Sequence, residues 1–331
     1  MKNKIKIICT LGPSSFNKKI LQKLKKLGVD IFRINLSHTN KEDIKKKILY
    51  LKKQNIKNIC LDTEGAQIRT THTKKDFFFK KNSIVKVCCD ERNSNNKNIY
   101  LHPKFDLLSL PTNTKIFIGF ESLCLKIYKK NFAQKNIICK ILKSGYLQSK
   151  KGVHIDYPIK LNPLTEKDIY ALKLGVKMNI NHYAISFVNN HTDIEKVEKI
   201  IGRNKQVISK IETLNAIKDL KNISESSKAL LIDRGDLSRY IPIEKIPLAQ
   251  EKILYETKKF NKPVYIATNL LENMIKESQP TRAESHDIYS SLKEGAKGLV
   301  LAAETAIGND PIKCVEFLKK CIKIFNLNKS N

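Results

Sequence analysis

Two short stretches hold the residues best suited to chemistry. Val207 and Ile208 are apolar and β-branched, and they lead into Lys210 and Glu212. Residues 229–232 form a second apolar run that ends in Asp233, Arg234 and Asp236, with Gly235 opening the next turn. Both runs are too short for a helix and suit strands buried on two faces. Charged groups at the carboxyl ends of neighbouring parallel strands are how α/β barrels build sites. Glu212 and Asp236 could hold a hard divalent ion such as Mg2+, which takes one or two carboxylates and leaves room for substrate oxygens. Lys210 could stabilise charge developing on a transferring group. Gly235 lets a backbone N–H approach an anion. Metal, lysine and anion-binding amides together fit phosphoryl transfer or enolate chemistry, and these residues alone do not choose between the two.

The surrounding chain alternates strand and helix. Strands are expected at 5–9, 30–34 and 58–62, and helices at 18–27 and 41–52, the latter capped by Asn40. From 71 to 156 short β-like runs recur instead, at 83–89, 115–118, 123–127 and 136–142, with turn residues between them. Alternation resumes with a helix at 166–174, a strand at 182–187, and a helix at 193–201 capped by Thr192. It continues with a helix at 243–260, a strand at 263–268, a helix at 285–294, a strand at 298–302 and a last helix at 311–325. The pattern predicts an α/β fold: a TIM (β/α)8 barrel over 1–70 and 157–331, with a small all-β, barrel-like lid inserted at 71–156. A doubly wound sheet is the alternative.

Composition narrows the function. Basic residues number 62 against 32 acidic, a net charge of +30. Lysines occur in nearly every segment rather than along one stripe, so a specific nucleic-acid partner is not expected. The basic field still attracts anionic metabolites. No run of eighteen apolar residues occurs, so no membrane span is expected, and residues 1–8 lack the apolar stretch of a signal peptide. The eight cysteines form no C-x-x-C pair and the histidines no H-x-x-x-H pair. Reduced thiols in a cytoplasm, without zinc, are the expectation.

Eight motifs, in one order along nearly the whole chain, resemble pyruvate kinases. They are I-C-T-L-G-P-S-S, F-R-I-N-L-S-H, L-D-T-E-G-A-Q-I-R-T, S-K-K-G-V, I-S-K-I-E with R-G-D-L, A-T-N-L-L-E-N-M-I, P-T-R-A-E and A-A-E-T-A-I-G. The resemblance implies a barrel with a β lid after strand 3. It implies transfer of the phosphoryl group of phosphoenolpyruvate to ADP, giving pyruvate and ATP. Lys210 would stabilise the phosphoryl group in flight, with Arg33 and Arg69 on or beside it. Glu212 and Asp236 would bind Mg2+ or Mn2+, and the amides of Gly235 and Asp236 the substrate carboxylate. Thr268 would lie near the carbon that accepts a proton, although it could equally cap a helix before Asn269. Thr10, Pro13, His38 and Lys151 match positions near the nucleotide. Asn35, Ser37, Asp62 and Thr63 match ligands of a potassium ion, although Asn35 and Ser37 could simply cap their loop.

Departures from that family are as informative. Glu64 stands where the family has a lysine, and Gln67 where it has a glutamate that goes with potassium dependence, so K+ use stays open. Gly119-Phe120-Glu121 takes the place of a D-D-G in the lid, and Ser238-Arg239-Tyr240 replaces G-I-E. The family's C-terminal regulatory domain is expected to be absent, and activation by fructose bisphosphate with it. A homodimer through the barrel, around residues 279–284, is expected. A barrel enzyme that binds phosphoenolpyruvate or pyruvate with another acceptor, or with metal-enolate aldolase chemistry, is the second reading. A non-catalytic regulatory descendant is the third.

Overall fold

The computed structural model describes residues 4–65, 67–119, 122–157, 159 and 161–328. The departure expected at Gly119-Phe120-Glu121 falls partly on Phe120 and Glu121, outside the described residues. The chain divides into two units, Met1–Gly65 with Pro163–Asn331, and Ala66–Asn162.

The first unit begins with β1 (Lys6–Thr10), α1 (Lys18–Lys26), β2 (Ile31–Asn35), α2 (Lys41–Lys53) and β3 (Ile59–Asp62). The second unit supplies β4 (Arg69–Thr70), β5 (Phe77–Phe79), β6 (Ile84–Cys89), β7 (Asn98–His102), β8 (Lys115–Ile118), β9 (Leu123–Asn131), β10 (Asn136–Lys143), β11 (Gly145–Leu147) and β12 (Val153–Ile155). The first unit resumes with α3 (Glu166–Lys177), β13 (His182–Ile185), α4 (His191–Ile201), β14 (Gln206–Ile211), α5 (Leu214–Lys218), α6 (Leu220–Ser226) and β15 (Ala229–Asp233). After these come α7 (Arg234–Leu237), α8 (Ile246–Thr257), β16 (Val264–Ala267), α9 (Arg282–Glu294), β17 (Gly298–Leu301), α10 (Ala303–Ala306) and α11 (Pro311–Asn328).

In the first unit eight parallel strands close in the order β1-β17-β16-β15-β14-β13-β3-β2. Because β1 pairs with both β2 and β17, the sheet has no edge, which excludes the doubly wound alternative. Side chains alternate along each strand. Ile7, Cys9, Ile211 and Ile232 join the large cluster beneath the helices. Ile8, Ile31, Cys60, Ala184, Ile208, Ala229, Leu231, Tyr265, Ala267 and Val300 form the separate cluster inside the barrel. Adding two residues to the inner set reaches Thr10, Arg33, Asp62, Ser186, Lys210 and Asp233. These polar groups therefore form the layer above an apolar plug, at the carboxyl ends of the strands.

In the second unit seven strands run in the order β12-β8-β9-β10-β6-β7-β4, and β11 pairs with β5. A bridge between Arg69 and Gly152 joins the two ends of the seven-stranded sheet. Val85, Val87, Leu125, Ile137 and Ile141 are among the side chains of its core. Five of its strands, β4, β5, β7, β11 and β12, were not among the expected β runs. Four of them, β4, β5, β11 and β12, have three residues or fewer and so show no alternation to read.

Local chemistry moved several boundaries. α9 starts at Arg282, not 285, because Thr281 and Glu284 form a reciprocal capping box. α4 starts at His191 because Asn190, not Thr192, is the cap, its side chain accepting from the Thr192 N–H. Asn40 occupies the cap position of α2 but makes no side-chain cap bond. The helix expected at 243–260 is α8 with a 3-10 turn at each end, Pro247 lying in its first turn. The strands expected to reach 187 and 268 stop at Ile185 and Ala267, because Phe187 and Thr268 turn to positive φ, 51° and 77°. No helix among the described residues is long and apolar enough to cross a membrane, and the eight cysteines are unpaired.

The plug depends on one glycine. A Cβ on Gly298 would lie 2.7 Å from Tyr265 Cδ1 and 3.1 Å from the Lys6 carbonyl oxygen. Gly298→Ala is expected to lower stability by about 1–3 kcal/mol through overpacking, measured by urea unfolding. Tyr265→Leu in the same chain should recover part of that loss, whereas simple additivity of the two changes would disprove the packing account.

Candidate functional site

The polar layer is built around Lys210. β14 carries it inward two residues beyond Ile208, and only 3% of its surface is exposed. Its Nζ lies 2.7 Å from Glu212 Oε1, 3.6 Å from Asp62 Oδ1 and 3.6 Å from Asp233 Oδ2. It donates to Ser186 Oγ at 3.0 Å. Burial alone would lower the Lys210 pKa, but the Asp62, Glu212 and Asp233 carboxylates outweigh it and hold the ammonium charged. Burial raises the Glu212 pKa, and the neighbouring Asp236 and Asp233 charges add to that against the opposing pull of Lys210.

A second cation closes the layer. Arg33 donates through Nε to Asp62 Oδ2 at 2.6 Å and through Nη1 to Thr10 Oγ1 at 2.6 Å, and its Nη2 also pairs with Asp62. Register accounts for this contact, since β2 lies between β1 and β3 and sets Thr10 beside Arg33. Ser186 Oγ donates to the Thr63 carbonyl at 2.6 Å, and its N–H donates to Thr63 Oγ1 at 2.9 Å. The Phe187 N–H donates to Glu212 Oε2 at 2.6 Å, and the positive φ of Phe187 aims it there.

The next turn adds three groups. One oxygen from each of Glu212, Asp233 and Asp236 lies within 4.8 Å of the others. These are hard oxygen donors, and Glu212 Oε1 is buried without a hydrogen-bonding partner, its approach to Lys210 lying outside hydrogen-bond geometry. The set fits a divalent cation of the Mg2+ or Mn2+ type. Thr268 Oγ1 donates to Asp233 Oδ1 at 2.6 Å. Thr268 caps no helix, which corrects that alternative. Arg234 turns away to Asp287 at 2.7 Å and to the Thr268 carbonyl. Gly235 packs where a Cβ would sit 2.8 Å from Thr268 Cγ2.

The barrel thus gathers Arg33, Asp62, Thr63, Lys210, Glu212, Gly235, Asp236, Thr268 and Thr10. Three details add to the expected arrangement. The Asp236 N–H is directed at Asp233 Oδ1, at 3.4 Å, rather than left open for a substrate carboxylate. Arg239, in the stretch that departs from the family pattern, pairs with Asp236 Oδ1 at 3.0 Å. Of the four potassium candidates, Asn35 accepts from the Ser37 N–H at 3.0 Å as a loop cap, and the Asp62 and Thr63 side-chain oxygens have the protein partners given above. Pro13 and His38 lie exposed in the turns after β1 and β2. Arg69 and Lys151 belong to the second unit, where Arg69 Nη1 donates to the Lys150 carbonyl at 3.0 Å and Lys151 is exposed. Gln67, also in that unit, is buried with Oε1 lacking a hydrogen-bond partner.

Sequence reasoning noticed the charge of Asp233 but gave it no role, and it missed Ser186. Both lie two residues past an inward apolar residue, Leu231 and Ala184, so strand alternation was the available signal. Glu64, the departure from the family lysine, accepts from Thr165 Oγ1 at 2.8 Å and pairs with Lys167. The Glu64 and Gly65 N–H groups both donate to the buried Asp168 carboxylate, at 2.9 and 3.1 Å.

Comparison with known proteins agrees with this architecture. Residues 2–315 match the family described as "Pyruvate kinase, barrel domain". The chain is similar to the pyruvate kinase of Thermotoga maritima, 33% identical over 96% of this chain and 70% of that protein. It is also similar to the pyruvate kinases of Staphylococcus aureus strains MRSA252 and USA300, each 32% identical over 96% of this chain. It spans 56% of the length of the Staphylococcus aureus proteins.

The cluster leaves Lys210 balancing buried carboxylates on three sides. Lys210→Met is expected to lower unfolding free energy by about 3–5 kcal/mol in a chelator, since it strands those charges. Mg2+ should return part of the loss in urea titrations. A variant as stable as the parent in chelator would show that the carboxylates are not held by Lys210.

Proposed function

The chain belongs to the pyruvate kinase family, and from that premise we propose that it transfers the phosphoryl group of phosphoenolpyruvate to ADP. The observation that carries the reading is the buried Lys210 ammonium set among carboxylates at the carboxyl ends of the barrel strands, beside a trio of oxygens suited to a divalent ion.

Glu212 and Asp236 would hold the cation, with Asp233 beside them, and when bound it supplies Lewis-acid polarisation and charge neutralisation to the substrate oxygens. The rest is work for the side chains. Lys210 and Arg33 bring two fixed positive charges to one dry layer, where a phosphoryl group loses its bond to the enolate oxygen and gains one to the acceptor. Fixed charge is most effective there because no solvent has to reorganise. Lys210 is already anchored by Ser186 and the carboxylates, so it does not have to be ordered at the moment of transfer. Arg33 is braced by Asp62 and Thr10, which leaves it a short reach and a set orientation. Thr268, just past the end of β16, would border the enolate carbon that takes up a proton when pyruvate forms.

The test is a coupled assay of pyruvate and ATP formed from phosphoenolpyruvate and ADP with Mg2+, with and without K+. Product formation that disappears in chelator is expected. Lys210→Met should lower kcat by about 10²–10³ with phosphoenolpyruvate binding retained, the usual effect of losing one preorganised charge contact. Glu212→Gln should abolish turnover at ordinary Mg2+ by removing an anionic ligand. No ATP at saturating substrates and Mg2+ would end this reading.

A further inference from the structure

We propose that Asp233 is a positioning residue whose carboxylate fixes the Thr268 hydroxyl against the cation-binding carboxylates, so that cation affinity and Thr268 placement form one coupled property. The proposal rests on the cation site of the reading above and goes beyond it, because Asp233 takes part in both halves of the site.

The geometry is specific. Asp233 ends β15 on the inward face, two residues beyond Leu231. Its Oδ1 accepts the Thr268 hydroxyl at 2.6 Å, and its Oδ2 lies 3.6 Å from Lys210 Nζ. One of its oxygens also lies within 4.8 Å of a ligand oxygen from each of Glu212 and Asp236. A single carboxylate therefore pairs with the lysine, accepts from the threonine and lies within 4.8 Å of the Glu212 and Asp236 oxygens.

Thr268 is held for this contact. It is β-branched, yet its φ is 77°, a conformation such residues avoid unless their surroundings impose it. Arg234 imposes it from behind, donating to the Thr268 carbonyl through Nε at 3.2 Å and Nη2 at 2.6 Å while Asp287 anchors Nη1. Gly235 leaves the space for Thr268 Cγ2. The backbone is thus set, and Asp233 sets the remaining rotor. A threonine hydroxyl has one proton to donate. Donation to Asp233 leaves only lone pairs on Thr268 Oγ1, which then faces a substrate or water as an acceptor.

The two roles of Asp233 separate chemically. Asp233→Asn keeps an oxygen that can accept from Thr268 but removes the negative charge. Asp233→Ala removes both. The experiment compares the parent, Asp233→Asn, Asp233→Ala, Thr268→Ala and the double alanine variant. Mn2+ affinity is read by calorimetry without substrate, and kcat and KM are read with phosphoenolpyruvate, ADP and Mg2+. Asp233→Asn should weaken Mn2+ binding by about tenfold, as loss of an anion beside the ion requires. It should also restore most of the kcat that Asp233→Ala loses, a rescue that a purely structural role would not give. Thr268→Ala should shift the Mn2+ dissociation constant by about threefold or more in the parent and hardly at all in Asp233→Ala. Independent, multiplicative effects of the two alanine changes on Mn2+ affinity would overturn the proposal, as would an Asp233→Asn enzyme as slow as Asp233→Ala. A parent protein that binds Mn2+ but forms no ATP would remove the proposed reaction, while the Mn2+ cycle would still decide the role of Asp233.

Discussion

Charge neutrality inside a dry barrel mouth is the constraint on which the site depends. Asp62 and Glu212 are fully buried and Asp233 nearly so. Carboxylates removed from water must be matched by cations or lose their charge. Lys210 and Arg33 set two positive charges against these three groups, the raised Glu212 pKa reflecting the remaining imbalance, and each cation is bonded to more than one partner. The same contacts that bind the acids keep both cations from wandering. Stability and chemical readiness therefore come from one set of bonds, and any change to a member alters both.

The layer owes its existence to two regularities of backbone geometry. Strand side chains alternate with a period of two, and closure of the parallel sheet sets the strand ends in one ring. The inner cluster fills the lower ring with alanine, isoleucine, leucine, valine, one cysteine and one tyrosine. The polar residues occupy the ring above it, and the turns that follow add Glu212, Asp236 and Thr268. Positive φ at Phe187 and Thr268 stops two strands and aims an N–H at Glu212 and a hydroxyl at Asp233.

Much of this was legible in the sequence, for identifiable reasons. Lys210 and Glu212 follow a β-branched run, and Asp233 and Asp236 follow an apolar one, so strand ends with charge could be read directly. Arg33 and Asp62 were placed by the same logic. What could not be read were relations set by pairing register and backbone turns. Nothing local marks Ser186 as the partner of Lys210, or Arg239 as the partner of Asp236. Nor does local pattern show that the Asp236 amide is directed at Asp233, because that bond needs the turn itself. Strands of two or three residues in the second unit are held by their neighbours, not by their own pattern. The T-x-x-E start of α9, by contrast, is a local signal, with Thr281 and Glu284 three residues apart.

The buried Asp168 has a consequence for how the chain assembles. Its carboxylate receives the N–H groups of Glu64 and Gly65, where the chain leaves the barrel, and it lies in the first turn of the helix by which the chain returns. Parallel pairing of β3 with β13 joins Asp62 to Ala184, a contact that spans the whole excursion. For a flexible connection, the entropic cost of that closure grows with the logarithm of its length. The second unit has its own core, and the Arg69–Gly152 bridge brings its first and last strands together. Once folded, it replaces a long floppy loop by a short one whose ends already lie close. In polymer terms the insertion then costs the barrel little more than a hairpin connection, and the Asp168 clasp supplies the knot that keeps the two chain crossings together.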